Sequence, residues 1–285
     1  MRYCINLILL TALGIVLLSI AAAAERPYLL LYAFDEEGAA FSKLMTVSGT
    51  DTVLGRTVQS GSAGGRDVIL AESGIGMTNA AMTTQRLIDQ YHPAVVIFTG
   101  IAGAVDSAVQ IGDIVIASSW VQHDFGYIGA DGYTVSGIRV FDLRQDSVTK
   151  MSQFPVDSAL LETARAAAAD QLELDSVGQR QPAITVGGVG ASGNTFIDNR
   201  EKRDWLANTL NAKIVDMESA AVMHVCVANG VRAIVMRSAS DLAGGSGSLT
   251  ASAELDNFFK VAAGNSAKAV LAVLKRLPVV PTPSN

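Results

Sequence analysis

An α/β domain, with a sheet covered by helices on both faces, is predicted by three features of the chain. Short β-rich runs alternate with helix-period segments. Several of the runs are apolar without interruption, as central strands are. The 285 residues, 49% of them hydrophobic, suffice for one sizeable core. In order, the strand candidates are YLLLYAF from Tyr28, RDVILAES from Arg66, AVVIFTG from Ala94, DIVIASSW from Asp113, AITVGGVGAS from Ala183, AKIVDME from Ala212 and RAIVMRSAS from Arg232. Between them MTNAAMTTQRLIDQY, SALLETARAAAADQL, NREKRDWLANTL and SAAVMHVCVANG read as helices, the last stopped by Asn229 and Gly230. An amphipathic segment from Ala253 to Leu277 closes the domain. Residues 126–155 carry no clear periodicity and read as one long loop.

The ends are of another kind. Arg2, a long apolar stretch, and then Ala22 and Ala24 ahead of Glu25 form the pattern of a cleavable export signal over residues 1–24. A periplasmic or secreted protein is therefore expected, membrane-held only if that segment stays uncut. The domain is expected over residues 25–278, and the Pro-rich stretch 279–285 as a disordered tail. Cleavage removes Cys4 and leaves Cys226 on an apolar helical pattern, where a buried inert thiol fits.

Composition narrows the partners. The net charge is −6 and no Lys/Arg run occurs, so the surface that tracks nucleic-acid phosphates is missing. His92, His123 and His224 are far apart and have no companion at metal-ligand spacing, so no metal is expected. SGIGMTNAA lacks the third glycine of a dinucleotide fingerprint and the G-K-S/T of a phosphate loop. LAGGSGS reads as a flap, and no cofactor is expected.

Ligands of open α/β sheets bind beyond the carboxyl ends of strands. Polar residues gather at those ends here: Asp35, Glu36 and Glu37; Gly74 and Gly76; Gly100 and Gly103; Glu218; Arg237 and Asp241. Taken singly, the glycines read as turns, Glu218 as a helix cap and Arg237 as an ion-pair partner. Taken together, carboxylates, an arginine and glycines for close approach suit an uncharged, polyhydroxylated ligand. In IVDMESAAVMHVC, Glu218 stands between two apolar runs, and an unpaired charge there would cost several kcal/mol. Its partner is either the backbone of the helix it opens or a ligand.

With SGIGMTNAA, FTGIAGAVDSAVQIGDIVIA, ASGNTFI, VDMESAAVMHVC and MRSASD in this order, the chain from Tyr28 to Leu277 resembles the 5′-methylthioadenosine/S-adenosylhomocysteine nucleosidases of the purine nucleoside phosphorylase superfamily. The resemblance implies a single three-layer domain around a mixed, partly barrel-like sheet, assembled as a homodimer, and a purine nucleoside as substrate. It places the water-activating carboxylate on Glu37, beside Glu36, and the acid on Asp241, with Ser240 next to it as a substrate-binding residue. It places ribose binding on Met217 and Glu218, purine stacking on Phe196, base-edge contact on Ile197, a backbone contact on Gly103 and an arginine near the attacking water on Arg237. Ile101 stands where the family has a serine, Leu255 where it has a lid aromatic, and the segment after Asp241 carries an insertion.

The implied reaction explains the residue types. Breaking an N-ribosidic bond passes through an oxocarbenium-like sugar, and the purine must be protonated as it leaves, so Asp241 must carry a proton while Glu37 stays ionised. The acidic run at the first strand end would repel phosphate, which favours hydrolysis over phosphorolysis. A nucleoside-binding protein of the same fold, the other alternative, needs neither carboxylate.

Overall fold

The run YLLLY has no residue to turn toward water, and in the computed structural model every one of its residues is buried in the middle of a sheet. The structure describes residues 25–170, 172–245, 247 and 249–281. The expected export signal, residues 1–24, lies outside the described residues, as does part of the flap.

The first half of the chain forms β1 (Tyr28–Tyr32), α1 (Asp35–Ser42), β2 (Thr46–Val53), β3 (Arg56–Ala63), β4 (Arg66–Glu72), α2 (Met77–Tyr91) and β5 (Val95–Ala104). Then come β6 (Ile114–Ile116), β7 (Ser119–Gln122), β8 (Gly126–Gly129), β9 (Gly132–Val135), β10 (Ile138–Asp142), β11 (Ser147–Met151) and β12 (Phe154–Pro155). The last part forms α3 (Ser158–Ala169), β13 (Ile184–Val186), β14 (Val189–Ser192), α4 (Arg200–Leu210), β15 (Ala212–Asp216), α5 (Ser219–Ala228), β16 (Arg232–Asp241) and α6 (Ala251–Leu274).

One mixed sheet runs β12-β7-β14-β15-β5-β1-β4-β3-β2, and β16 joins it beside both β5 and β6. The expected strand DIVIASSW is two strands, β6 and β7, and AITVGGVGAS is also two, β13 and β14, broken at Gly187 and Gly188 where φ is +123° and +82°. Each half joins a different arm: β13 pairs with β6, and β14 with β7. Strand β6 also pairs with β16, which pairs in turn with β5, so both arms belong to one mixed sheet. Helices α1 and α6 pack on one side, α2 and α5 on the other, so the domain is the expected single α/β unit with helices flanking a mixed sheet.

Two parts differ from the sequence reading. Residues 46–63, to which no strand was assigned, form the β2–β3 hairpin, turned at Leu54 and Gly55 with φ of 51° and 74°, the left-handed pair a tight hairpin uses. Residues 126–155, expected as one loop, contain the hairpins β8–β9 and β10–β11. Both regions are largely solvated, so their strands lack apolar alternation. At the other end of the chain, residue 26 donates its amide to the Val280 carbonyl at 2.8 Å and Glu25 bridges Pro281. The tail is thus placed as far as Pro281. No helix of the described residues is long and apolar enough to cross a membrane.

Candidate active site

Strand β5 decides where the cavity opens. Its first half pairs with β1 as far as Phe98, its last residues pair antiparallel with β15 at Gly103 and Ala104, and β16 accompanies it throughout. Where β1 has ended and β15 has not begun, one side of β5 is free for a ligand. Gly100 sits there with φ of +147°, and a Cβ on it would lie 2.2 Å from both Arg237 Nη1 and Glu37 Oε1. Only glycine lets the strand pass so close to that pair.

A cavity of about 290 Å³ occupies the gap, at the small end of the roughly 300–1,000 Å³ usual for ligand sites. Glu37, Gly103, Phe196, Met217, Glu218, Ser240 and Asp241 all line it. Ile197 lines a small adjoining recess shared with Gly103, Phe196, Met217 and Asp241. Arg237 is placed behind the wall, fully buried. Of the two neighbouring acids, Glu36 is exposed and Glu37 buried, because the first turn of α1 directs only the latter inward.

Glu218 does not act as a helix cap. It occupies the N-cap position of α5, yet its side chain makes no capping bond. Asp216 does that work: its Oδ1 accepts from the amides of Glu218 and Ser219, each at 3.2 Å. The Glu218 carboxylate is left to accept from the Gly76 amide at 2.8 Å and, at 3.5 Å, from Arg237 Nη2. Gly76 is itself the N-cap of α2, so the Gly-rich run SGIGM delivers a helix N-terminus to a carboxylate.

Asp216, the last residue of β15 and part of the expected strand AKIVDME, organises this cluster. Its Oδ2 accepts from Arg237 Nε at 2.8 Å and from the Ser219 hydroxyl, and its Oδ1 accepts from the Ser192 hydroxyl at 2.5 Å. Arg237 also donates to the Thr99 carbonyl at 3.1 Å and lies 4.0 Å over the Phe98 ring. Its Nη1 is 3.8 Å from Glu37 Oε1. Glu37 is further held through Oε2 by the Ala33 amide at 2.7 Å and through Oε1 by the Ile101 amide at 2.8 Å.

Three buried carboxylates thus share one guanidinium. Burial pushes Glu37 up from the ordinary carboxylate range, against Arg237 and the Ile101 and Ala33 amides, which pull it back. Glu218 is pushed up to about 7, by burial first and then by the charge of Asp216, while Arg237 opposes. Across the cavity Asp241 is pushed up to about 6 by burial, against bonds from the Ala243 amide and the Ser240 hydroxyl, both 2.9 Å. A Cβ on Gly103 would come 2.8 Å from Asp241 Oδ1, so that glycine makes room for the acid. Such a site holds surplus negative charge facing a cavity on whose wall no cation stands among the described residues. It suits a ligand that becomes positive, and a leaving group that accepts a proton.

Comparison with known proteins agrees with this chemistry. The model of the phosphorylase superfamily matches residues 27–275. The chain is 32% identical over 248 residues to a 5′-methylthioadenosine/S-adenosylhomocysteine nucleosidase of Marinomonas sp. (strain MWYL1), covering 86% of this chain and 97% of that one. It is 32% identical over 243 residues to the nucleosidase of that name from Geobacillus thermodenitrificans (strain NG80-2), covering 85% and 93%. Among solved structures, the Neisseria meningitidis nucleosidase in complex with methylthio-immucillin-A superposes with a TM-score of 0.73 at 27% identity, covering 88% of this chain and 100% of that one. Futalosine hydrolase of Helicobacter pylori strain 26695 superposes with a TM-score of 0.74 at 26% identity, covering 88% and 98%.

Proposed function

The chain belongs to the phosphorylase superfamily, and from that premise we propose that it is a purine nucleosidase acting on adenine nucleosides such as 5′-methylthioadenosine and S-adenosylhomocysteine. The reaction is hydrolysis of the N-glycosidic bond to free base and sugar. The observation that carries this reading is the surplus of buried carboxylate around one cavity, with a carboxyl pushed up to about 6 on its far side.

Each group then has a task. Glu218 accepts from the ribose hydroxyls, and Phe196 and Met217 bound the sugar and base. Asp241, held by Ser240, delivers a proton to the purine ring as the bond stretches. Glu37, oriented by two amides, takes a proton from the attacking water. The remaining negative charge around Arg237 stabilises the oxocarbenium-like sugar more than the neutral substrate, which is the condition for a gain in rate. Phosphate is a poor nucleophile here: the carboxylates of the wall repel it, and Arg237 is occupied by Asp216 and Glu218.

Phe34, Ile75, Ile101 and Leu255 make the cavity apolar away from the carboxylates. A thioether loses nothing there, whereas a 5′-hydroxyl leaves a hydrogen bond unmade. Purified protein with methylthioadenosine, adenosine and inosine, each with and without phosphate, is expected to release base from methylthioadenosine at a rate independent of phosphate. The kcat/KM for methylthioadenosine should exceed that for adenosine by about 10-fold or more. Release that requires phosphate would make the protein a phosphorylase; calorimetric binding without any release would make it a binding protein.

We further propose that residues 1–24 direct export and that the mature chain is a homodimer. Support comes from the Arg2-apolar-Ala24 pattern and from an open groove of about 530 Å³ between α2 and α5, where Met82 is exposed. Mass spectrometry of the exported protein should give a chain beginning at Glu25 under denaturing conditions and pairs of chains under native ones. An intact Met1 end, or single chains, would count against the respective part.

A further inference from the structure

Glu254 is a buried carboxylate that the reaction above leaves without a task. It stands in the first turn of α6, whose N-cap is Thr250, with the Thr250 hydroxyl accepting from the Ala253 amide at 3.1 Å. An acid in that turn is ordinarily solvated and interacts with the helix dipole. This one is 3% exposed, turns inward, and accepts from the amide of Leu242 at 2.7 Å. Leu242 directly follows Asp241. Among the described residues Glu254 has no cationic partner, and its side chain is held by the Leu242 amide.

We infer that Glu254 is a positioning residue for the acid, tying α6 to the backbone that carries Asp241 and keeping a second carboxylate behind it. This rests on the reading of Asp241 as proton donor. Asp241 is faced by Ser240 on its own strand, by the Ala243 amide of the flap, by Glu254 from α6 and by Asp198 from the loop ahead of α4. Asp198 is itself pinned through Oδ1 to the Ala251 amide at 2.9 Å. The two bonds, Glu254 to Leu242 and Asp198 to Ala251, hold both ends of the inserted flap. The hydroxyl and amide bonds to Asp241 favour its ionised form, whereas the two carboxylates, like burial itself, favour the protonated form that donates. An acid aimed at a purine in a cavity open to solvent is kept supplied with its proton by this second layer of charge.

The test is the pH profile of kcat with methylthioadenosine between about pH 5 and pH 9, for the full chain and three variants. Glu254→Gln keeps an oxygen for the Leu242 amide and removes the charge, so its melting temperature should stay close to that of the unchanged protein. Its alkaline limb, where Asp241 loses the proton, should move to lower pH by roughly half a unit to one unit, with kcat on that side falling about 3–10-fold. Glu254→Ala loses the bond as well, and should add a lower melting temperature to the same movement. Asp241→Asn is the control for the underlying reading. If it is inactive while both Glu254 variants keep the original alkaline limb, Glu254 is a helix anchor only and the inference is overturned. If Asp241→Asn turns over normally, the acid itself has been misassigned and the inference falls with it.

Discussion

Asp241→Asn is expected to lower kcat for methylthioadenosine by roughly 10²-fold or more while changing nucleoside affinity by only a few-fold. The amide keeps the shape, an acceptor for the Ala243 amide and a contact to the base, and loses only the proton that the leaving purine needs. Stability should move the other way. Asp241 is raised from 3.8 to about 6 by burial, so the folded state binds its proton more tightly than the unfolded chain does. Its favourable contribution is therefore full below about pH 4 and lost as pH rises through about 6. Above that, the ligand-free protein carries a buried charge costing on the order of 1–3 kcal/mol. Asparagine carries none, so Asp241→Asn should melt higher than the unchanged protein at pH 8 and about equally at pH 4. Turnover by the variant at the original rate would sink the proton-donor assignment, and a melting difference that is the same at both pH values would sink the linkage.

The second large effect is expected from Glu37→Gln. Both carboxylate oxygens accept from backbone amides, Ala33 on one side and Ile101 on the other. Whichever way a glutamine is turned, its NH₂ faces one of these donors, so one amide is left unsatisfied at about 1–3 kcal/mol. Arg237 loses one of the carboxylates it serves, and the base for water is gone. A fall in kcat of roughly 10³-fold is expected together with a lower melting temperature, in contrast to Asp241→Asn. Rapid single-turnover hydrolysis by Glu37→Gln would place water activation elsewhere.

Central parts of the fold were legible because they are buried on both faces. YLLLY and AVVIF announce themselves as core strands without help from their neighbours. The hairpin β2–β3 was not legible: TVSGTDTV is polar and nearly all exposed, so it has no apolar face to repeat. Strands β13 and β14 look like one run in the sequence because the kink at Gly187 and Gly188 changes the sheet arm, not the hydrophobicity, and β6 and β7 look like one because Ala117 and Ser118 between them carry no turn residue. Among the site residues, those in strand-end motifs were found, including Glu37, Glu218 and Asp241. Asp216 and Glu254 were missed, one inside a strand and the other on a helix, where an acid in the sequence looks solvated.

The chain by itself determined the α/β class, the central strands and the set of chemical groups at their ends. These follow from local patterns: apolar runs that must be buried, and glycines and acids at the points where strands stop. Only the tertiary structure decided what those groups do. Whether Glu218 capped a helix or faced a ligand depended on Asp216 taking the capping bonds. Whether Arg237 met a ligand or lay behind the wall depended on Asp216 and Glu218 meeting it from another strand end. Protonation was decided in the same way, since the position of Asp241 near 6 reflects burial and neighbours drawn from α6, the flap and the loop ahead of α4. Burial and charge act through space and sum over elements far apart along the chain, so no stretch of sequence carries them alone.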